Sequence, residues 1–162
     1  MMWKELKNLL KGVVSQRSAE IILAALEIKD RPVDIFAIAN LLEVKVRTAD
    51  TKDEVLLHFS EGNPTIFVRH DAPSVRQRFS VAHALGHLFL HSEDNNSNIY
   101  FSDASFNSNS IMEMQANRFA ANILIPENEL IELVENKTPK NQIANYFGVS
   151  EGVLSWQISD IL

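Results

Sequence analysis

Apolar residues recur at helical spacing early in the chain and then switch to alternation, which predicts helices followed by a small sheet. Ile21, Ile22, Ala25 and Ile28 place one face of a helix over residues 18–28, with Ser18 as its cap. Asp30-Arg31-Pro32 interrupts the pattern, and Ile35, Ile38, Ala39 and Leu42 resume it as a second short helix. Val44 and Val46, then Val55, Leu57 and Phe59, then Ile66 and Val68 alternate as strand residues do. Glu61-Gly62-Asn63-Pro64 is a turn, so the last two runs form a hairpin. Asp71-Ala72-Pro73-Ser74 ends the sheet and opens a long helix over residues 74–91, Pro73 suiting its first turn. Ser and Asn dominate residues 92–110, where Ile99-Tyr100-Phe101 fits a short edge strand. Loops of that length in a compact domain are usually functional or disordered. Residues 111–124 are helical up to Pro126, and residues 139–162 form two helices around Phe147-Gly148-Val149-Ser150. The start, Met1 to Lys7, reads as an amphipathic helix and not a signal peptide, because charges interrupt it before any apolar region.

A length of 162 residues fits one domain with a small appendage. The expected division is a main domain over residues 1–137 and a helical pair over 138–162 packed on it. Apolar residues make up 46% of the chain, enough for a real core. The net charge of −6 argues against nonspecific nucleic-acid binding, which needs a basic surface. There is no cysteine, so disulfides and thiolate zinc sites are excluded and any metal must be held by His, Asp or Glu. No apolar run approaches the length of a membrane span. A soluble, cytoplasmic protein is the expectation.

The helix over residues 74–91 contains His83-Ala84-Leu85-Gly86-His87. Histidines at i and i+4 project side by side. This is the ligand spacing of H-E-x-x-H zinc helices, in which the intervening glutamate is the general base for water at the metal. Here both histidines stand and alanine occupies the position of the base. Phe79, Val81, Ala82, Leu85, Leu88, Phe89 and Leu90 make the helix apolar nearly all round, so it is buried and its histidines need partners. Gly86 costs helix stability, which points to close packing at that position. A catalytic zinc site needs a third protein ligand. His91 lies about 12 Å from His83 along the helix axis, too far for one ion to take all three easily, and is read as a supporting or helix-end residue. Glu113, on the following helix, is the better candidate, as in His₂Glu sites.

Two long runs carry a family resemblance. Arg78-Phe79-Ser80-Val81-Ala82-His83-Ala84-Leu85-Gly86-His87-Leu88-Phe89-Leu90-His91 resembles the metal helix of the ImmA/IrrE metallopeptidases. Glu113-Met114-Gln115-Ala116-Asn117-Arg118-Phe119-Ala120-Ala121, followed by Ile123-Leu124-Ile125-Pro126, is similar to that family's second motif. The resemblance covers about residues 18 to 150. It implies an α+β, gluzincin-like fold, to which the residue pattern adds a small, largely antiparallel sheet packed on the long metal-binding helix and a helix-turn-helix-like C-terminal segment. It implies Zn²⁺ held by His83, His87 and Glu113. It also implies a cytoplasmic protease whose protein substrate is a helix-turn-helix transcriptional repressor of a mobile element, prophage or DNA-damage response. His91, Asn117 and Arg78 are candidates for supporting the metal ligands or touching substrate.

The departure is Ala84. Zinc lowers the pKa of its water to about 7, but a second group must orient that water and carry its proton to the leaving amine. General acid–base catalysis contributes roughly 10²–10⁴-fold. The expectation is a chain that binds zinc and substrate but hardly cleaves, with an engineered Glu-to-Ala change favoured over a natural pseudoprotease that acts as a binding module. His91, Glu93 and Asp94 are substitute bases by proximity alone. Gln115 stands where many relatives carry a second Glu, a change that keeps size and hydrogen bonding. Residues 142–154 have a helix-turn-helix look. Between 139 and 162, however, one basic residue, Lys140, faces Glu151 and Asp160, so DNA binding is not expected. Arg76 and Arg78 read as structural ion pairs sooner than substrate contacts, and Met112 and Met114 as core fillers.

Overall fold

The amphipathic start folds as helix α1 (Met2–Leu9), which buries Trp3 and Leu6 one turn apart. The Trp3 ring lies 6.1 Å from that of Phe59. This computed structural model describes residues 2–12, 15–92, 99–102 and 110–162. Glu93, Asp94 and much of the Ser/Asn stretch fall outside them. Helix α2 (Ser15–Ala25) starts at Ser15 and not Ser18. Ser18 is a buried interior residue, not a cap, because the polar first turn gives no apolar signal of its own. Asp34 caps α3 (Ile35–Leu41), its carboxylate accepting the Ala37 amide at 3.0 Å, and Ile35, Ile38 and Ala39 turn inward.

Strands β1 (Lys45–Ala49), β2 (Val55–Ser60), β3 (Asn63–Arg69) and β4 (Ile99–Ser102) form one sheet in the order β1-β3-β2-β4. Strands β2 and β3 are the expected hairpin. Glu61 and Gly62 link them with φ of 52° and 79°, the paired left-handed conformations of a type I′ turn. Strand β4 is the expected edge, antiparallel to β2. Strand β1 runs parallel to β3, Val46 opposite Ile66, so the sheet is mixed, with two antiparallel pairings and one parallel. Val55, Leu57, Phe59, Ile66 and Val68 share its buried face.

Helix α4 (Ser74–Leu90) packs against β2 and β3, and every residue from Phe79 to Phe89 is buried. Helix α5 (Ile111–Leu124) packs along its other side. Gly86 permits that approach: a Cβ there would stand 3.1 Å from both Cα and O of Ala116. Gly86→Ala therefore sets a helix-propensity gain of about 1 kcal/mol against an overpacking cost of about 1–3 kcal/mol. Backbone atoms cannot rotate away, so a net loss of thermal stability is expected in a melting experiment.

Helix α6 (Glu127–Glu135) is not among the helices expected from the sequence; Leu130 is its one fully buried residue, with Leu133 and Val134 packed partly against the core. Helices α7 (Lys140–Phe147) and α8 (Glu151–Ile161) are the expected C-terminal pair. Gly148 ends α7 at φ 65°, and the Ser150 hydroxyl caps α8 by accepting the Val153 amide at 3.1 Å. Among the described residues no helix is long and apolar enough to cross a membrane.

Candidate metal centre

His83 and His87 point from α4 toward α5, and Glu113 in the first turn of α5 meets them. The Nε2 atoms of the two rings are 3.1 Å apart. His83 Nε2 lies 2.9 Å from Glu113 Oε2, and His87 Nε2 lies 2.9 Å from Glu113 Oε1. Both rings are buried, His83 at 0% exposure and His87 at 3%. Donors about 2.0–2.1 Å from a tetrahedral ion stand about 3.3 Å apart, close to these spacings. Two ring nitrogens and a carboxylate this near repel one another unless a proton or a cation lies among them. The three side chains therefore form a group that can hold a divalent metal.

The surrounding bonds fit that purpose. His83 Nδ1 is 2.7 Å from Asn117 Oδ1. An amide oxygen only accepts, so His83 Nδ1 carries a proton toward Asn117, and Nε2 is the nitrogen that a metal would take. His87 Nδ1 is 2.9 Å from His91 Nδ1, and His91 Nε2 is 2.8 Å from Gln115 Oε1. Burial pushes the His91 ring below the usual imidazole range, against the opposing Gln115 hydrogen bond.

Burial pushes the Glu113 carboxyl up, but hydrogen bonds from His83 and His87 and their charge hold it at about 2. It is thus an anion across the neutral range. With a folded value below the ordinary 4.5, its stabilising contribution is complete above about 4.5 and is lost as pH falls toward 2. The melting temperature of metal-free protein is expected to fall over that interval, and to fall less in Glu113→Gln.

The other sequence candidates are placed as follows. Ala84 is fully buried beside His83 on α4 and brings no proton acceptor to the centre. Arg78 is not brought to the metal donors. Its Nη1 donates to Val33 O at 2.6 Å, Nε to Gly148 O at 3.0 Å and Nη2 to Phe147 O at 3.2 Å. Its burial lowers the guanidinium pKa, opposed by the charge of Asp34. Arg76 pairs with Glu54. Met112 and Met114 are exposed, at 44% and 49%, and so are not core fillers. Sequence reasoning missed Lys7, whose ammonium donates to the carbonyl and hydroxyl of Ser92, just beyond the C-terminal end of α4. Its only signal was a basic residue on the polar face of α1.

Among known proteins, the IrrE N-terminal-like domain of the M78 peptidases matches residues 39–159. The chain belongs to the M78 family. Metallopeptidase ImmA of Bacillus subtilis (strain 168) is 30% identical over 112 residues, which are 67% of this chain and 58% of that protein. A Mycobacterium tuberculosis transcriptional regulator shares the fold, with a TM-score of 0.61 at 14% identity over 98% of this chain and 52% of that one. The chain thus spans little more than half the length of these relatives. Membership of M78 implies a metallopeptidase scaffold and a divalent metal, which, among the described residues, the cluster of His83, His87 and Glu113 could hold. The family match runs across residue 137 without a break, taking in α7 and most of α8.

Proposed function

We propose that this chain is a zinc metallopeptidase domain of the ImmA/IrrE type, directed at a helix-turn-helix transcriptional repressor and nearly inert as it stands because Ala84 replaces a glutamate. The observation that carries the reading is the convergence of His83, His87 and Glu113 from two packed helices, with alanine at the position of the general base. Bound zinc would supply Lewis-acid polarisation of the scissile carbonyl and of water. The protein's own part is to hold the ligands. Asn117 accepts from His83 Nδ1 on the side away from the metal, and ionised Glu113 adds a negative charge that favours a cation. Ala84 can neither take a proton from the attacking water nor deliver one to the departing amine. The acidic chain and the scarcity of basic residues in α7 and α8 favour a protein target over DNA.

The test is incubation of the repressor encoded beside this gene with the zinc-loaded chain and with Ala84→Glu, read by intact mass. A discrete cut made by the Glu form and stopped by a chelator supports the reading. If both forms bind zinc and the repressor but neither cuts it, the chain is a non-catalytic binding module and alanine is its native residue.

A further inference from the structure

We propose that the free edge of β1 is a docking groove for an extended segment of a protein partner in which carboxylate and apolar side chains alternate. The sheet has two edges, β4 on one side and β1 on the other. Strand β1 pairs with β3, and α3 packs beside it. A cavity of about 620 Å³ lies there, lined by Phe36 and Asn40 of α3 and by residues 43–47. None of these residues belongs to the metal centre.

The backbone of β1 is turned to receive a strand. Ala49 O accepts the His70 amide at 3.2 Å, so the polar groups of Ala49 face β3. Those of successive strand residues point to opposite sides. Lys45 and Arg47 therefore bond toward β3 as Ala49 does, while Val46 and Thr48 turn their N–H and C=O to the open edge. Side chains alternate between the two faces as well. Val46 and Thr48 lie opposite Ile66 and Val68 and so share the core face, where α3 packs on α4. Lys45 and Arg47 stand exposed on the other face. A strand added to this edge thus meets two environments in turn. Its core-face side chains reach Val46 and the ring of Phe36, which is 38% exposed. Its other side chains meet Lys45 and Arg47, neither of which forms an ion pair among the described residues. Opposite charges across a strand pair attract and like charges repel, so carboxylates are selected there. Glu43, the acid in the lining, accepts from the Met2 amide at 3.3 Å.

Cations on an edge strand also guard it against pairing with another copy. A second β1 laid antiparallel would bring Lys45 and Arg47 of both chains together on one face. That guard accounts for the charges but not for a cavity and a half-open aromatic ring beside them. The two cations that repel a second copy attract an acidic strand.

The test is titration of the intact chain with a blocked peptide alternating valine and glutamate, long enough to span the five residues of β1, followed by amide NMR. Binding with a Kd of about 1 mM or lower is expected, with slowed exchange of the Val46 and Thr48 amides. The same peptide with lysine for glutamate is expected to bind roughly tenfold more weakly, and Lys45→Glu combined with Arg47→Glu to invert that preference. Thr48→Pro removes one outward N–H without touching the ladder to β3 and is expected to abolish binding. The charge reversal tests the groove even where the proline variant fails to fold. Binding of neither peptide at about 1 mM, binding that ignores the sign of the charge, or binding that leaves both amides unprotected would overturn the proposal. Protection that grows with protein concentration and needs no peptide would assign the edge to a second copy, and would overturn it too. Metal loading plays no part in these measurements, so their failure leaves the reading of the metal centre untouched.

Discussion

Ala84→Glu is expected to raise the rate of peptide-bond cleavage by roughly 10²–10⁴-fold, the span that a positioned acid–base group contributes. The size follows from what the site already has. The ligand donors stand 2.9–3.1 Å apart, and one ring is oriented directly by Asn117, so the substitution has to add proton transfer alone. The glutamate is not a ligand in this arrangement, and zinc affinity should be the same in both chains. Position 84 is fully buried at present. The larger side chain therefore needs the open side of the centre, and a modest drop in melting temperature is expected alongside the gain in rate. Single-turnover cleavage of the repressor, with metal content measured on the same samples, checks both halves. Equal rates from equally loaded chains would mean that this scaffold lacks more than its base.

Arg78→Ala is expected to cost about 3–5 kcal/mol of stability. A hydrogen bond to a charged group contributes about 1.5–3 kcal/mol, and three that share one guanidinium do not add in full. Thermal denaturation should show a fall of roughly 6–20 °C at about 2–4 °C per kcal/mol for a chain of this size. Arg78 fastens the start of α4 to the loop before α3, through Val33 O, and to the junction of α7 and α8, through Phe147 O and Gly148 O. Lysine keeps the charge but not the fork, so Arg78→Lys should recover little. An unchanged melting temperature in Arg78→Ala would show that this clamp is ornamental to the fold.

Much of the architecture was legible wherever the signal is local. The hairpin announced itself through Glu61-Gly62, the metal helix through its unbroken apolar run, and the edge strand through Ile99-Tyr100-Phe101. The close approach at Gly86 was legible because a glycine inside a buried helix needs a reason, and Ala116 is that reason. What escaped depends on partners distant in sequence. Parallel pairing of β1 with β3 leaves no mark on either strand, since β2 intervenes in sequence yet lies on the far side of β3. The bonds of Arg78 reach 45 to 70 residues away, and the residue itself offers only a charge that could as well face substrate. Helix α6 is short and acidic, and of its apolar face, Leu130, Leu133 and Val134, only Leu130 is fully buried, so the signal it offers is brief. Ser18 misled because the apolar face of α2 starts after its first turn. At the centre, the grouping of His83, His87 and Glu113 was within reach of spacing and resemblance. The link from His91 to Gln115 was not, because it joins two helices across 24 residues.

The candidate ligands come from two helices, with 25 residues between His87 and Glu113, part of them the Ser/Asn stretch. A shared ion would therefore work as a removable rivet between α4 and α5. Whatever binds the folded chain and not the unfolded one adds RT ln(1 + [L]/Kd) to its stability, about 2.7 kcal/mol at a hundredfold excess over Kd. The folded population of this protein should accordingly track the free metal of its surroundings, whether or not position 84 allows a single bond to be cut.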